Sequence, residues 1–248
     1  MSKLLNFELR KLFRLKAFYI CTAVSLLMGI FTFHTFSKGG ADYSGLLCLV
    51  KAVETSSLTL LMGIWIAIFV CEDYSGGTMR NIVTRGYSRT SVYFAKLIAL
   101  LAGVLITLVL CWVVCAITGT ILFDGSDGAF SMSFLNSLAA QLAAVLAYAC
   151  LCNTIASALQ KTGVSVAVCA VMPIAVILLC SILQTAIYAK NGNPNDVFLQ
   201  EYWLDDIISA LSYTEPKQET LSLAFKTSGV YIAASVVLGW FAIFKREY

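Results

Sequence analysis

The sequence predicts an all-α, polytopic membrane protein with six transmembrane helices. Of its 248 residues, 59% are hydrophobic and only 12% are charged, which leaves too few polar side chains to cover a water-soluble surface. The apolar residues fall into six long runs, and the Lys and Arg residues concentrate in alternate connections between these runs. A lipid bilayer accounts for all of these observations.

Each apolar run approaches the roughly 20 residues that a helix needs to cross the hydrocarbon core. The runs are continuous rather than alternating, which favours helices over barrel strands. Pro173 lies inside the fifth run, where we expect a tolerated kink rather than a hinge. The sixth run is short, so its helix is expected to begin earlier or to tilt little. The predicted spans cover about 17–36, 46–70, 97–123, 134–159, 163–188 and 227–244.

The distribution of charge predicts the orientation of the chain. The two termini, segment 71–96 and the turn at 160–162 together hold twelve of the 17 Lys and Arg residues but only four of the 14 acids. The positive-inside rule therefore places both termini in the cytoplasm. An even number of spans requires the same arrangement, so we expect a multi-pass protein of the plasma membrane.

Residues 1–16 precede the six-helix transmembrane domain at 17–248 and form a basic amphipathic segment. We expect it to be a helix in the cytoplasmic interface, against anionic lipid. The alternative is that its charges only guide insertion. Its apolar side chains at helical spacing are Leu4, Leu5, Leu9, Leu12 and Phe13.

The longest outer segment covers about 189–226 and contains a short amphipathic stretch. Tyr202 and Trp203 suit a membrane interface, which predicts a lid resting on the membrane, and a role in substrate release is the alternative. Lys51 and Glu54 lie in the outer half of the second span and can pair on one helix face. They form either an interfacial pair in contact with water or a polar patch on a translocation path.

No motif for catalysis or metal binding occurs in the sequence. There is no GxxxxGK[ST] phosphate loop, no HExxH and no GxSxG, so we expect neither ATP hydrolysis nor other catalysis by this chain. His34 is the only histidine, and an interfacial position suits it better than a proton relay. The nine cysteines lie in or beside apolar runs without metal spacing, which is typical of packing residues. The net charge of +3 is too small to indicate nucleic-acid binding.

The segment between the second and third spans, EDYSGGTMRNIVTRGYSRTSVYFAK at 72–96, has the most distinctive pattern. Gly76 and Gly77 permit a sharp turn, and Thr78 can cap a following helix. Gly86 and Ser88 end that unit before the chain re-enters the membrane. A short helix with an apolar ridge and a basic rim, at about 76–90, suits a groove on a cytoplasmic partner, whereas the alternative is a charged loop that sets topology. The ridge and rim residues are Ile82, Val83, Arg80, Arg85 and Arg89.

This segment resembles the signature of ABC-2 type transporter permeases. In that family an acidic residue after the second span precedes a Gly-Thr step, a basic coupling helix, a Ser-Arg step and a Lys at the start of the third span. Gly86 and Tyr87 stand where family members often have a proline, which affects only the local turn. The matching residues are Glu72, Gly77, Thr78, Arg80, Ser88, Arg89 and Lys96.

The resemblance implies the partners and the function. Two permease copies, forming a homodimer, would bind two copies of a separate ABC ATPase, which would hold the ATP and Mg²⁺ while this chain carries no cofactor. Compact members resemble bacterial exporters of amphipathic or antimicrobial peptides, or of hydrophobic toxic compounds. A membrane-bound immunity or scaffold subunit and an ion-coupled secondary transporter are the alternatives. The residues that the resemblance assigns to ATPase coupling are Glu72, Gly77, Thr78, Arg80, Ile82, Val83, Arg85 and Arg89.

Overall fold

The computed structural model describes residues 2–39, 45–78, 84, 86–123, 132–191, 199–212 and 218–244. Within these ranges the chain forms nine α-helices, a short 3-10 helix at Leu199–Tyr202 and no β-strand. The α-helices are α1 (Ser2–Leu12), α2 (Lys16–Lys38), α3 (Gly45–Thr55), α4 (Leu58–Ser75), α5 (Arg89–Leu122), α6 (Met132–Leu159), α7 (Thr162–Asn191), α8 (Leu204–Ala210) and α9 (Gln218–Phe244).

Five of these helices, α2, α5, α6, α7 and α9, are long and apolar enough to cross a membrane. Helices α3 and α4 pass the same test as a pair, with a 50° bend between them, and provide a sixth span if they are counted together. The predicted all-α membrane fold is therefore confirmed. The second span differs from a straight helix because it is broken between α3 and α4.

The break between α3 and α4 occurs at two serines. Ser57 adopts φ 48° and ψ 37°, in the left-handed region that non-glycine residues seldom occupy. Ser56 is fully buried, and its carbonyl accepts a hydrogen bond from Ser25 Oγ at 3.4 Å. Contacts with α2 therefore hold the chain at the point where it changes direction.

Two spans begin earlier than the apolar runs indicate. Helix α5 begins at Arg89 rather than Leu97, because Ser88 caps it: its Oγ accepts a hydrogen bond from the Ser91 amide at 3.3 Å. Helix α9 begins at Gln218 rather than Thr227, since its first turns bury Leu221 and Ala224 in the core. The short sixth run is thus extended at its start, as predicted.

Helix α4 lies at the centre of the bundle, where it packs against α2, α6 and α7. Its core side chains Met62, Trp65 and Phe69 are buried. Large apolar side chains on α2, α7 and α9 face outwards instead, as expected for helices in contact with lipid. All nine cysteines are free and eight of them are buried, which agrees with a packing role.

Helices α1 and α2 follow α5 from its first residues towards its far end. Leu4 packs beside Val92, and Leu12 faces Gly103. Farther along, Gly29 of α2 faces Cys115. The leucines of α1 therefore pack against the helical bundle and not against lipid, contrary to expectation.

The described part of the segment between α7 and α9 is attached to the bundle through α8. Gln141 of α6 is fully buried, and its side-chain amide donates to the carbonyls of Val50 (2.7 Å) and Leu211 (3.5 Å). Trp203 is only 5% exposed and packs edge-on against Tyr231, so it is a core residue and not the predicted interfacial one. Tyr202 is 52% exposed, so an interfacial position stays a prediction for this residue.

Candidate functional site

A buried aspartate joins three helices next to the predicted coupling helix. Asp73, near the end of α4, is 1% exposed. Its two carboxylate oxygens accept hydrogen bonds from Lys11 of α1 and Lys96 of α5, forming an ion pair with each. Lys96 is itself only 3% exposed. Both charges of the Asp73–Lys96 pair are thus removed from water and depend on each other.

A second carboxyl group lies within the same assembly. Glu8 of α1 is fully buried, and neither of its oxygens has a hydrogen-bond partner among the described residues. Burial raises the pKa of Glu8, the positive charges of Lys96 and Lys11 oppose that shift, and the negative charge of Asp73 adds to it. We refer to Glu8, Lys11, Glu72, Asp73 and Lys96 as the N-terminal charge cluster.

The two neighbouring acids at the end of α4 have different environments. Asp73 points into the cluster, whereas the Glu72 side chain is 53% exposed and lies 3.6 Å from Lys11 Nζ. The Lys11 ammonium group also contacts the Phe69 carbonyl at 3.4 Å and lies 5.2 Å from the centre of the Phe69 ring. Lys96 similarly lies 5.5 Å from the centre of the Tyr74 ring. These contacts fix the lysines above the apolar core.

The predicted coupling segment leaves α4 and enters α5 on either side of this cluster. Gly77 and Gly86 have φ angles of +65° and +86°, and a Cβ at either position would meet no atom within 4 Å. Both glycines are therefore required by backbone conformation and not by crowding. Thr78 and Thr84 have a helical backbone, while the residues between them lie outside the described part of the chain.

The structure places some of the predicted coupling residues but not others. Glu72 lies at the cluster, Gly77 and Thr78 follow it, and Arg89 is the first residue of α5. Residues Arg80, Ile82, Val83 and Arg85 lie outside the described part of the chain, so their roles remain predictions.

An acidic cavity lies at the opposite end of α4. It has a volume of about 250 Å³ and adjoins the break between α3 and α4. Three carboxyl groups line it, those of Glu54, Asp205 and Asp206, and Pro173 of the uninterrupted helix α7 contributes to its apolar wall. With 1.5 Å of rise per residue, α4 separates this cavity from Asp73 by roughly 20 Å.

The carboxyl groups of the acidic cavity differ in their surroundings. Burial raises the pKa of Asp205, a hydrogen bond with Thr59 opposes the shift, and the charge of Asp206 adds to it. Burial likewise raises the pKa of Asp206, whose Oδ2 is buried without a hydrogen-bond partner in the described ranges. Glu54 Oε1 accepts a hydrogen bond from Ser209 Oγ at 3.5 Å. The cavity therefore combines acidic and apolar surface.

Of the two residues predicted on a translocation path, only one lines this cavity. Glu54 does so, whereas Lys51 lies one turn earlier on α3, is half-buried and is not part of the cavity wall. Among the described residues, no group of three His, Cys, Asp or Glu side chains is arranged to hold a metal ion. The placement of ATP and Mg²⁺ on a partner stays a prediction.

Comparison with known families identifies the chain. The ABC-2 family transporter protein family matches residues 4–189, which cover most of α1, all of α2 to α6, the predicted coupling segment and most of α7. The chain belongs to this family. It is thus the permease component of an ABC transporter, a transmembrane component that is generally non-catalytic in this family. Membership also implies association with the membrane and with a separate ABC ATPase subunit. Comparison with curated proteins gives no match.

Sequence reasoning missed three of the five members of the permease's charge cluster as site residues, namely Glu8, Lys11 and Asp73. Asp73 lies next to Glu72, and adjacent helix positions differ in direction by about 100°, so which of the two acids faces inwards depends on packing. Glu8 had a readable signal: it lies four residues from both Leu4 and Leu12, on the side of α1 that is buried. An acid in the middle of a buried helical stripe indicates a charged partner across the interface.

Proposed function

We propose that this permease exports amphipathic or antimicrobial peptides, or hydrophobic toxic compounds, as a homodimer bound to two copies of its ATPase. The acidic cavity is the observation that supports this cargo class. Glu54 and Asp206 offer negative charge beside apolar walls, and an amphipathic molecule with a cationic group matches that combination. The cavity also has room for a side chain or an amine group but not for a whole peptide.

Coupling to the ATPase would run through the segment at about 76–90 on the cytoplasmic side. Movement of this segment reaches α4 and α5 directly, because it connects them. The Asp73 ion pairs join those two helices to each other and to α1. Helix α4 then leads to the acidic cavity at its other end. A single helix thus links the proposed ATPase contact with the proposed cargo contact.

The cargo proposal is tested with the complex of the permease and its ATPase, co-purified in nanodiscs. A cationic amphipathic peptide should stimulate ATP hydrolysis, and an anionic peptide of equal length should not. Combining Glu54→Gln with Asp206→Asn should raise the peptide concentration needed for half-maximal stimulation roughly tenfold or more, as expected for loss of charge-assisted contacts. Glu219→Gln, an exposed acid at the start of α9, is the matched control and should leave it unchanged.

Each alternative function has a distinct outcome in this experiment. Peptide binding without stimulation of ATP hydrolysis would favour an immunity or scaffold subunit. Transport that depends on an ion gradient and not on ATP would favour a secondary transporter. Equal stimulation of the double variant and the parent would remove the acidic cavity from the proposal.

The coupling proposal is tested separately by charge reversal. Arg80→Glu or Arg85→Glu should uncouple ATP hydrolysis from transport while membrane insertion stays normal, because both lie on the predicted basic rim. Lys161→Glu is the control: it lies in the turn between α6 and α7, at the same end of the bundle, where Cys71 Sγ of α4 contacts Ser165 Oγ at 3.2 Å. Normal transport and normal ATPase affinity in both Arg variants would contradict the assignment.

A further inference from the structure

A basic groove lies between α1, the first turn of α2 and α4. Its volume is about 650 Å³. Three exposed cationic residues line it, namely Arg10, Arg14 and Lys16. None of the three forms an ion pair with an acidic residue in the described part of the chain. This distinguishes them from Lys11, which also lines the groove but forms ion pairs with Asp73 and Glu72.

The groove carries a clear excess of positive charge. Among the described residues that line it, the one carboxylate belongs to Glu72, which lies 3.6 Å from the Lys11 ammonium group. Lys11 and Glu72 therefore contribute little net charge, and the arginines and Lys16 remain. Two guanidinium groups and an ammonium group around one opening are suited to a phosphate group, which accepts bidentate hydrogen bonds from arginine.

The rest of the groove is apolar. Phe7 of α1 is 45% exposed, Ala17 and Ile68 are partly exposed beside it, and the buried Leu15 also lines the groove. A soluble phosphate compound would leave these side chains in water, whereas a lipid acyl chain would cover them. The composition of the groove thus matches a molecule with an anionic end and an apolar end.

The position of the groove along the spans points to the same ligand. Lys16 is the first residue of α2, a membrane-spanning helix, and the groove opens where that span begins. The phosphate groups of a bilayer lie just outside its hydrocarbon core, level with the ends of spanning helices. The charged and apolar parts of the groove are therefore placed at the depths where a phospholipid has its phosphate and its chains.

We propose that this groove binds the phosphate headgroup of one anionic phospholipid through Arg10, Arg14 and Lys16, with an acyl chain along Phe7 and Ile68. The bound lipid fills the space between α1 and α4. Helix α1 also supplies Glu8 and Lys11 to the N-terminal charge cluster. The bound lipid therefore stabilises the position of α1, and with it the cluster beside the predicted coupling segment. The site requires neither the cargo nor the ATPase.

Native mass spectrometry of the full chain in a neutral detergent measures this binding. Phosphatidylglycerol should bind with a saturable affinity at least roughly tenfold above that of phosphatidylcholine, which has the same chains but no net charge. Neutralising the three basic residues together (Arg10→Gln, Arg14→Gln, Lys16→Gln) should weaken phosphatidylglycerol binding on the order of a hundredfold, since each basic residue at an anionic surface contributes about fivefold.

A matched triple variant controls for total charge. Lys38, Lys161 and Lys226 are exposed cations elsewhere on the molecule, and their joint replacement by Gln should leave phosphatidylglycerol binding within about twofold. Ala17→Trp offers an independent test, because it fills the groove without removing any charge that guides insertion. It should weaken phosphatidylglycerol binding and leave phosphatidylcholine binding unchanged.

Several results would overturn the proposal. Equal phosphatidylglycerol affinity in the parent and the groove triple variant is one. Full displacement of the lipid by millimolar inorganic phosphate would instead assign the site to a soluble phosphate compound. Unchanged lipid binding together with lost ATPase co-purification in the groove variant would assign the surface to the partner protein.

Discussion

Asp73→Asn is the substitution for which the structure predicts the largest effect on stability. The change keeps the size of the side chain but removes its negative charge. Lys96, which is 3% exposed, then loses its ion-pair partner in a place that water does not reach. Lys11 keeps the carboxylate of Glu72 at 3.6 Å, and its side chain is 15% exposed and remains partly hydrated.

The expected cost follows from the burial of this pair. Removing one member of a buried ion pair costs about 3–5 kcal/mol, chiefly because the other charge stays behind without compensation. An asparagine can still accept one hydrogen bond from Lys96, so we expect about 3 kcal/mol. Replacing Lys96 as well, by Met, should recover most of that loss, since the uncompensated charge is then gone.

The adjacent acid provides a matched control. Glu72→Gln also removes one carboxylate that lies near Lys11, but the Glu72 side chain is 53% exposed. An exposed pair contributes about 0–1 kcal/mol. The two substitutions therefore affect acids that are adjacent in the sequence, both remove one negative charge and both remove a partner of Lys11, but the two acids differ in burial.

Reversible unfolding in mixed micelles, followed by tryptophan fluorescence, measures these free energies. Trp65 is a suitable reporter because it is buried in the core and packs against Phe18 at 5.2 Å between ring centres. A cost below about 1 kcal/mol for Asp73→Asn, or strictly additive effects of Asp73→Asn and Lys96→Met, would refute the buried ion pair.

Three further predictions concern individual residues. Glu8→Gln should stabilise the protein at neutral pH and lose that advantage as pH falls to about 4.5. The raised pKa of Glu8 means that the native state binds this proton more tightly than the unfolded state does, so the parent protein is most stable below the ordinary pKa of 4.5 and its stability declines as pH rises above it. Melting curves at several pH values would contradict this if the gain were constant. Ser57→Gly should stabilise by about 1 kcal/mol, because Ser57 has a left-handed backbone and makes no side-chain capping bond; a lower unfolding free energy would show that the hydroxyl is needed. Gly63→Ala should destabilise the protein by about 1–3 kcal/mol, since the new Cβ would lie 3.0 Å from the Cys169 carbonyl oxygen. Gly229→Ala is the control: its Cβ meets no neighbour within 4 Å, so it should be neutral or stabilising. Equal effects of the two substitutions on melting temperature would count against this packing.

The spans were largely predictable because bilayer thickness imposes a length that apolar runs reveal directly. The early start of α5 was not predicted, because the apolar run begins only at Leu97, although Ser88 is a good capping residue. The bend at Ser57 was also not predicted, because neither Gly nor Pro marks it and its left-handed backbone depends on tertiary contacts. Local sequence patterns carry no information about such tertiary contacts.

The candidate site was predictable in outline and not in detail. Lys96 and Glu72 were identified through the family pattern, and the turns at Gly77 and Gly86 through their residue type. The pairing of Lys96 with Asp73 depends on how α4 is rotated against α5, which sequence alone leaves open. The acidic cavity similarly unites α3 and α8, which are far apart in the chain.

The contact between the coupling segment and the ATPase tests the central claim most directly. A photo-crosslinking amino acid at Ile82 of the permease, in the complex purified from membranes, should form a covalent product with the ATPase subunit. The same amino acid at Ser222, an exposed residue of α9, should form none. A product from Ile82 alone is the result predicted here. Its absence, in a complex that still hydrolyses ATP, would contradict coupling through residues 76–90.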